Sequence, residues 1–122
     1  INSQTTRINW SNSIQEINNL VRGLSPYISD NNFLKDKAKC PGAWFFLELD
    51  GERKRIKIIK SKIETSDKNS NFHIDTDNKT YLKIHKKLQS ISLEFLQMEG
   101  KRIMPIREFL LGNPIYPKCR FI

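Results

Sequence analysis

The residues best equipped to do chemistry in this chain are cations, and they come in runs. Arg53-Lys54-Arg55-Ile56-Lys57 is the densest, and between Glu52 and Glu64 six cations occur with no acid among them. Lys79, Lys83, Lys86 and Lys87 form a second group, and Lys101-Arg102 with Arg107 a third. Cations spaced along one face meet phosphates, in contacts that hold a polyanion without reading its sequence. If Arg53, Arg55 and Lys57 point outward, Ile56 and Ile58 point inward, because strand side chains alternate faces. Any soluble strand has a charged face, but this one is lopsided. We single out Arg53, Lys54, Arg55, Lys57, Lys83, Lys101 and Arg102 as candidate nucleic-acid contacts.

Catalytic constellations are harder to find. His73 and His85 each fall in a short apolar strand beside a turn. A histidine acting as general base needs an orienting carboxylate within hydrogen-bond reach. His73 and Asp75 share a face by alternation and are the best such pair, but a surface histidine beside a turn is the simpler reading. No Ser-His-Asp or Cys-His arrangement is defensible from spacing. Cys40 and Cys119 lie far apart and lack the paired spacing of a zinc site or a disulfide framework. There is no glycine-rich phosphate loop. The sequence therefore nominates no catalytic, metal or cofactor residue.

A chain of 122 residues with a formal net charge of +8 makes one small, basic domain. A domain that basic meets a polyanion, nucleic acid first and an anionic membrane surface second. No stretch of about 18 apolar residues is present to cross a membrane, and no basic amphipathic helix to lie on one. The N-terminus has no basic-then-apolar signal pattern, so a cytoplasmic location is expected.

Around these residues the pattern predicts a helix, five short strands and a helix. Residues 1–10 read as an extended lead-in. Ser11 is a good N-cap, and Ser13 with Glu16 offers a second start as a capping box. Ile14, Ile17, Leu20 and Val21 follow at helical spacing. Gly23 and Pro26 end the helix, with Trp10 as a hydrophobic staple on its first turn and Arg22 completing its dipole. Residues 28–40 read as a polar surface insertion anchored by Phe33 and Leu34. From Ala43 the period becomes two, and Asp50-Gly51 is a strong hairpin turn. In the return strand the adjacent Ile58 and Ile59 break alternation, which predicts a bulge. Short strands follow at Phe72–Ile74, Tyr81–His85 and Ile91–Phe95. Pro105 opens a second helix closed by Gly112, and the tail is extended. The count fits a small OB-like five-stranded barrel with an N-terminal and a C-terminal helix, and an SH3-like barrel is also compatible. Trp44, Phe46 and Tyr81 are stacking candidates for single-stranded bases, although a small barrel needs its aromatics inside.

Two stretches carry a family resemblance. One is Arg7-Ile8-Asn9-Trp10-Ser11, then Glu16-Ile17, then Val21-Arg22-Gly23-Leu24-Ser25-Pro26-Tyr27. The other runs from Leu96-Gln97 through Gly100-Lys101-Arg102-Ile103-Met104 to Phe109-Leu110-Leu111-Gly112. Both resemble the C-terminal domain of methionyl-tRNA formyltransferases, and Asp77 to Lys83 fits a turn and strand of the same family. The 28–40 insertion and the loop at 64–71 fall outside the likeness.

The resemblance implies an OB-like fold for residues 11–122 and a non-catalytic, tRNA-binding role. The parent enzyme would transfer a formyl group from 10-formyltetrahydrofolate to the amino group of initiator methionyl-tRNA in translation initiation. Its catalytic residues and a folate-binding Ser-Leu-Leu-Pro segment would lie in an N-terminal Rossmann-like domain, and none of them occurs here. Two other readings stay open. One is a scaffold or dimer domain of a formyltransferase acting on amino sugars or carrier-bound amino acids. The other is an unrelated OB domain that binds single-stranded nucleic acid.

Overall fold

The structure is a computed structural model that describes residues 6–24, 42–49 and 51–122. Helix α1 (Ile14–Gly23) starts at Ser13, not Ser11. The Ser13 hydroxyl accepts the Glu16 N–H at 3.1 Å, and the Glu16 carboxylate accepts the Ser13 N–H at 3.2 Å. This reciprocal box satisfies two otherwise orphaned donors, an arrangement that stabilises a helix by about 1 kcal/mol. Ser11 instead turns back on Asn9, donating both its N–H and its hydroxyl to the Asn9 side chain. At the other end Gly23 is the last helical residue, and Leu24 closes the helix by donating its N–H to the carbonyls of Leu20 and Val21. Gly23 is not in the left-handed conformation expected of a helix-ending glycine.

Seven strands follow where five were expected. They are β1 (Ala43–Leu49), β2 (Glu52–Thr65), β3 (His73–Thr76), β4 (Leu82–Lys86), β5 (Gln89–Met98), β6 (Ile103–Pro105) and β7 (Arg120–Phe121), with helix α2 (Ile106–Gly112) between the last two. They form one antiparallel sheet in the order β3-β4-β5-β2-β1-β7, with β6 on β5. The two additional strands come from the approach to the second helix, where Pro105 was expected to open the helix, and from the extended tail. The sheet curls until its two ends meet: Phe72, just before β3, and Phe121 of β7 have ring centroids 6.0 Å apart. Among the described residues no strand ladder joins β3 to β7. The result is a half-barrel, and the closed five-stranded count is corrected to an open sheet of seven.

Two features of the strands were set by local chemistry. Gly51 sits at φ +81° beside the β1–β2 ladder, where any β-carbon would be strained. Ile58 and Ile59 are both fully buried, and the β2–β5 register shifts on either side of Lys60. This bulge lets one strand serve both halves of the curl.

The core lies between the concave sheet face and α1. Ile14, Ile17 and Val21 pack with Phe45, Ile56, Ile58, Ile84, Ile91, Leu93 and Leu96. Asn18, buried on the same helix face, accepts a hydrogen bond from the Ser61 hydroxyl at 2.7 Å. Lys86 fastens the helix entry by donating to the carbonyls of Trp10 and Asn12 at 2.9 and 2.7 Å. The Trp10 ring lies among Phe45, Phe72 and Phe121, at centroid distances of 5.2, 5.7 and 5.4 Å. It therefore seals the seam between the sheet ends, where a staple on the first helical turn was expected. Asn78 pins the tail across that seam, donating to the Ile115 carbonyl at 3.0 Å and accepting the Ile115 N–H at 2.7 Å. Residues 1–5 and 25–41, hence the insertion and Cys40, lie outside the described residues.

Candidate nucleic-acid interface

Alternation puts Ala43, Phe45 and Leu47 in the core, so Trp44, Phe46 and Glu48 face the convex side. The hairpin register sets Trp44 opposite Lys57, Phe46 opposite Arg55 and Glu48 opposite Arg53. One sheet face thus interleaves aromatics with cations. The Arg55 guanidinium carbon lies 4.0 Å from the Trp44 ring centroid, and that of Arg53 lies 5.7 Å from Phe46. Each such contact contributes about 0.5–1 kcal/mol at an exposed site and draws the cation to the ring. Trp44 and Phe46 themselves pack edge to face at 5.2 Å. Trp44 is only 6% exposed. Trp44 is thus buried as expected and Phe46 only partly so, but both stand outside the central cluster and form the floor of an outer cationic face.

A third arginine joins from outside the hairpin. Arg7 pairs in parallel with Trp44, through Ile8 N–H to Trp44 O at 2.7 Å and Trp44 N–H to Thr6 O at 3.2 Å. Its guanidinium carbon is 5.2 Å from both the Trp44 and the Phe46 ring centroids. Nothing in the sequence pattern marks Arg7 as part of this face.

Beyond Lys57 the face opens into a cleft of about 430 Å³ lined by Arg55, Lys57, Gln97, Met98, Glu99, Gly100 and Lys101. The turn that presents Lys101 is held by its N–H on Met98 O at 2.9 Å and by Gln97 Nε2 on Lys101 O at 3.0 Å. The stem of Lys57 crosses Gly42, where a β-carbon would come within 2.2 Å of Lys57 Cγ. Two acids lie among these residues: Glu99 at the cleft, and Glu48, with Oε2 3.8 Å from Arg53 and 3.9 Å from Arg120. Both distances are long for an ion pair and leave the arginines available to a stronger acceptor.

Of the seven residues nominated from the sequence, Arg53, Arg55, Lys57 and Lys101 come together here. Lys54 points to the other face, where it lines a groove with Leu47, Leu49 and Asn113. Lys83 lies on β4, 3.4 Å from Glu64 and beside the Tyr81 ring. Arg102 is engaged by Glu108.

A second polar cluster lies on β3 and β4. His85 pairs across the ladder with His73. Its Nε2 is 2.9 Å from Asp75, its Nδ1 2.6 Å from the Ser66 hydroxyl, and the Tyr81 hydroxyl donates to Asp75 at 3.1 Å. Asp75 therefore orients His85, not His73 as its position on the strand suggested. Burial pushes the Asp75 carboxyl up, but the hydrogen bonds from His85 and Tyr81 and the charges of His85 and Lys68 outweigh it and hold the group below its ordinary value. The hydrogen bond to Asp75 raises Tyr81. The residues match a hydrolytic triad, but the surroundings do not. The Ser66 hydroxyl already accepts the Lys68 N–H, and the N–H groups of Ser66, Lys87 and Leu88 are spent on the carbonyls of Leu88, Ser70 and Lys68. No backbone donor in that set is left to stabilise an oxyanion. The cluster ties loop 66–72 to the sheet.

A small basic half-barrel with an arginine-on-aromatic face is the class of domain that these features define. Residues 1–114 match the model of the formyl transferase C-terminal domain, and the chain belongs to that family. Among curated relatives, the methionyl-tRNA formyltransferase of Flavobacterium johnsoniae is 35% identical over 92% of this chain and 31% of its own length. That of Phocaeicola vulgatus is 34% identical over 89% and 30%, and that of Protochlamydia amoebophila 30% identical over 92% and 31%. The chain thus spans about a third of the length of the curated relatives it matches.

Proposed function

We propose that this chain is the tRNA-handling, non-catalytic domain of a methionyl-tRNA formyltransferase. The convergence of Arg53, Arg55, Lys57 and Lys101 on one face of a domain of this family carries the reading, and the net charge of +8 supports it. In the whole enzyme the domain holds tRNA by its phosphates so that the aminoacyl end reaches a Rossmann-like catalytic domain. There the formyl group passes from 10-formyltetrahydrofolate to the methionyl amino group, in the cytoplasm, at translation initiation. The Ser-Leu-Leu-Pro segment of the family's folate site does not occur in this sequence, and in this reading the donor is held by the catalytic domain alone. The half-barrel serves as an OB-like platform that recognises backbone and shape, since Trp44 is covered and cannot stack on a base. Lys54, Lys83 and Arg102 lie apart from these four cations and are left out of the interface in this reading.

Fluorescence anisotropy with bulk tRNA over a salt series tests this. Affinity should fall linearly on a log–log plot, with a slope of about 0.7–0.9 per phosphate contacted and several contacts in all. No binding at low salt, together with self-association, would move the assignment to a scaffold domain of a formyltransferase with a different acceptor. Preference for oligo-dT over tRNA would favour a single-strand-binding domain.

A further inference from the structure

We infer that the segment leading into the domain is itself part of the RNA interface: Arg7, laid along β1, completes a phosphate-binding clamp with Arg53 and Arg55 over the Trp44–Phe46 floor. The inference rests on the tRNA reading above and adds to it a residue and a recognition chemistry.

The geometry begins with the backbone. Residues 6–8 pair with the edge of β1 at Trp44, the same edge that Arg120–Phe121 occupies further along at Leu47 and Glu48. Thr6 and Ile8 on either side of Arg7 are both buried, whereas Arg7 is exposed. The lead-in is therefore a docked edge segment, and alternation aims one side chain outward. That side chain is the arginine whose guanidinium meets both aromatic rings.

The chemistry follows from what stacking leaves open. A guanidinium lying on a ring uses its flat face and keeps its N–H edge for an acceptor. Phosphate suits that edge, because the fork of donors matches two oxygens at once. Attraction to the rings also restricts these side chains before the ligand arrives, so less side-chain entropy is lost on binding. Among the described residues neither Arg7 nor Arg55 takes part in a salt bridge, and the carboxylate near Arg53 is the 3.8 Å contact to Glu48. The guanidinium carbons of Arg7, Arg53 and Arg55 thus gather over one floor, 5.2, 5.7 and 4.0 Å from its ring centroids, with Lys57 and Lys101 extending the charge into the adjoining cleft. With both rings occupied by guanidiniums, the ligand class is the ribose-phosphate backbone and not an unstacked base.

The test uses bulk deacylated tRNA, anisotropy and a salt series on the wild-type chain and four variants. Arg7→Ala should weaken binding about three- to tenfold and lower the log–log salt slope by about one contact. Arg7→Lys and Arg55→Lys keep the charge but lose the fork; each should weaken binding severalfold and leave the slope unchanged. Arg22→Ala, on the helix away from this face, should bind as wild type. Unchanged circular dichroism is expected for the Arg7 variants, since the pairing there is made by backbone. If wild type binds with a multi-contact slope while the Arg7 and Arg55 variants match it, the clamp is wrong and the tRNA reading stands. If wild type does not bind, the tRNA reading fails and takes the clamp with it.

Discussion

The Arg55 guanidinium rests 4.0 Å from the centre of the Trp44 ring, on the solvent side of a sheet whose other side is the core. Trp44 therefore has two jobs: its bulk covers the hairpin, and its outer surface positions a cation. Trp44→Leu should separate these poorly. It removes packing, at a cost of about 2–4 kcal/mol, and releases Arg55 and Arg7. Urea unfolding should show the first effect and tRNA affinity the second. Trp44→Phe keeps a ring, and should recover most of the affinity if stacking matters; affinity as poor as that of Trp44→Leu would argue that the ring's size alone matters.

Gly42 is a place where one added carbon should alter the face without breaking the fold. Its φ lies outside the left-handed range, so alanine is tolerated by the backbone, but the new carbon meets the Lys57 stem. Gly42→Ala should displace Lys57 and weaken tRNA binding about two- to fivefold, in the range of one phosphate contact, with a thermal midpoint within a few degrees of wild type. Unchanged affinity would mean that Lys57 does not contact the RNA.

The β4–β5 turn is built against local preference. Lys87 and Leu88 both have positive φ, 51° and 67°, with Leu88 half exposed and contributing little packing. Left-handed backbone costs a non-glycine residue about 1–2 kcal/mol. Leu88→Gly should therefore raise stability by about 1 kcal/mol, read as a higher urea midpoint at an unchanged slope. A lower midpoint would show that the Leu88 side chain outweighs the strain.

Asp75 should set part of the acid limb of stability. Its folded-state pKa lies below its ordinary value, so its contribution is present above about pH 4 and is lost as the pH falls through the folded value. Asp77 behaves in the same direction, held down first by the Thr80 hydroxyl and then by the N–H groups of Thr80, Lys79 and Tyr81. Asp75→Asn should be less stable than wild type near neutrality, with the gap closing below about pH 4. A gap that stays constant into acid would assign the loss to shape and not to charge.

Much of this architecture was legible where the signal was local. The capping box at Ser13, the β1–β2 hairpin, the bulge at Ile58–Ile59 and the second helix near Pro105 all rest on a few neighbouring residues, and all four elements are present, with Pro105 as the N-cap of α2 and not its first helical residue. Strands β6 and β7, of three and two residues, are too short to show a period, and only their partners β5 and β1 make them strands. Ser13 outcompeted Ser11 because Glu16 completes its box, while Ser11 has Asn9 as a closer partner. The outer face was half legible. The pairing of Leu49 with Glu52 sets the register that puts Trp44 and Phe46 opposite Lys57 and Arg55, so alternation could have found them. Arg7 could not be found this way, because its place depends on backbone pairing across 37 residues of chain.

Heteronuclear NMR of the chain titrated with tRNA would test the central claim most directly, since it reports where RNA touches. The arginine Nε–H signals of Arg7, Arg53 and Arg55 and the amides of Lys57 and Lys101 should shift together and saturate with one affinity. Amides of α1 and of the Asp77–Lys79 turn should stay in place. Shifts confined to α1 or to the β3–β4 side, or none at all at low salt, would contradict a tRNA interface on the convex face of β1 and β2.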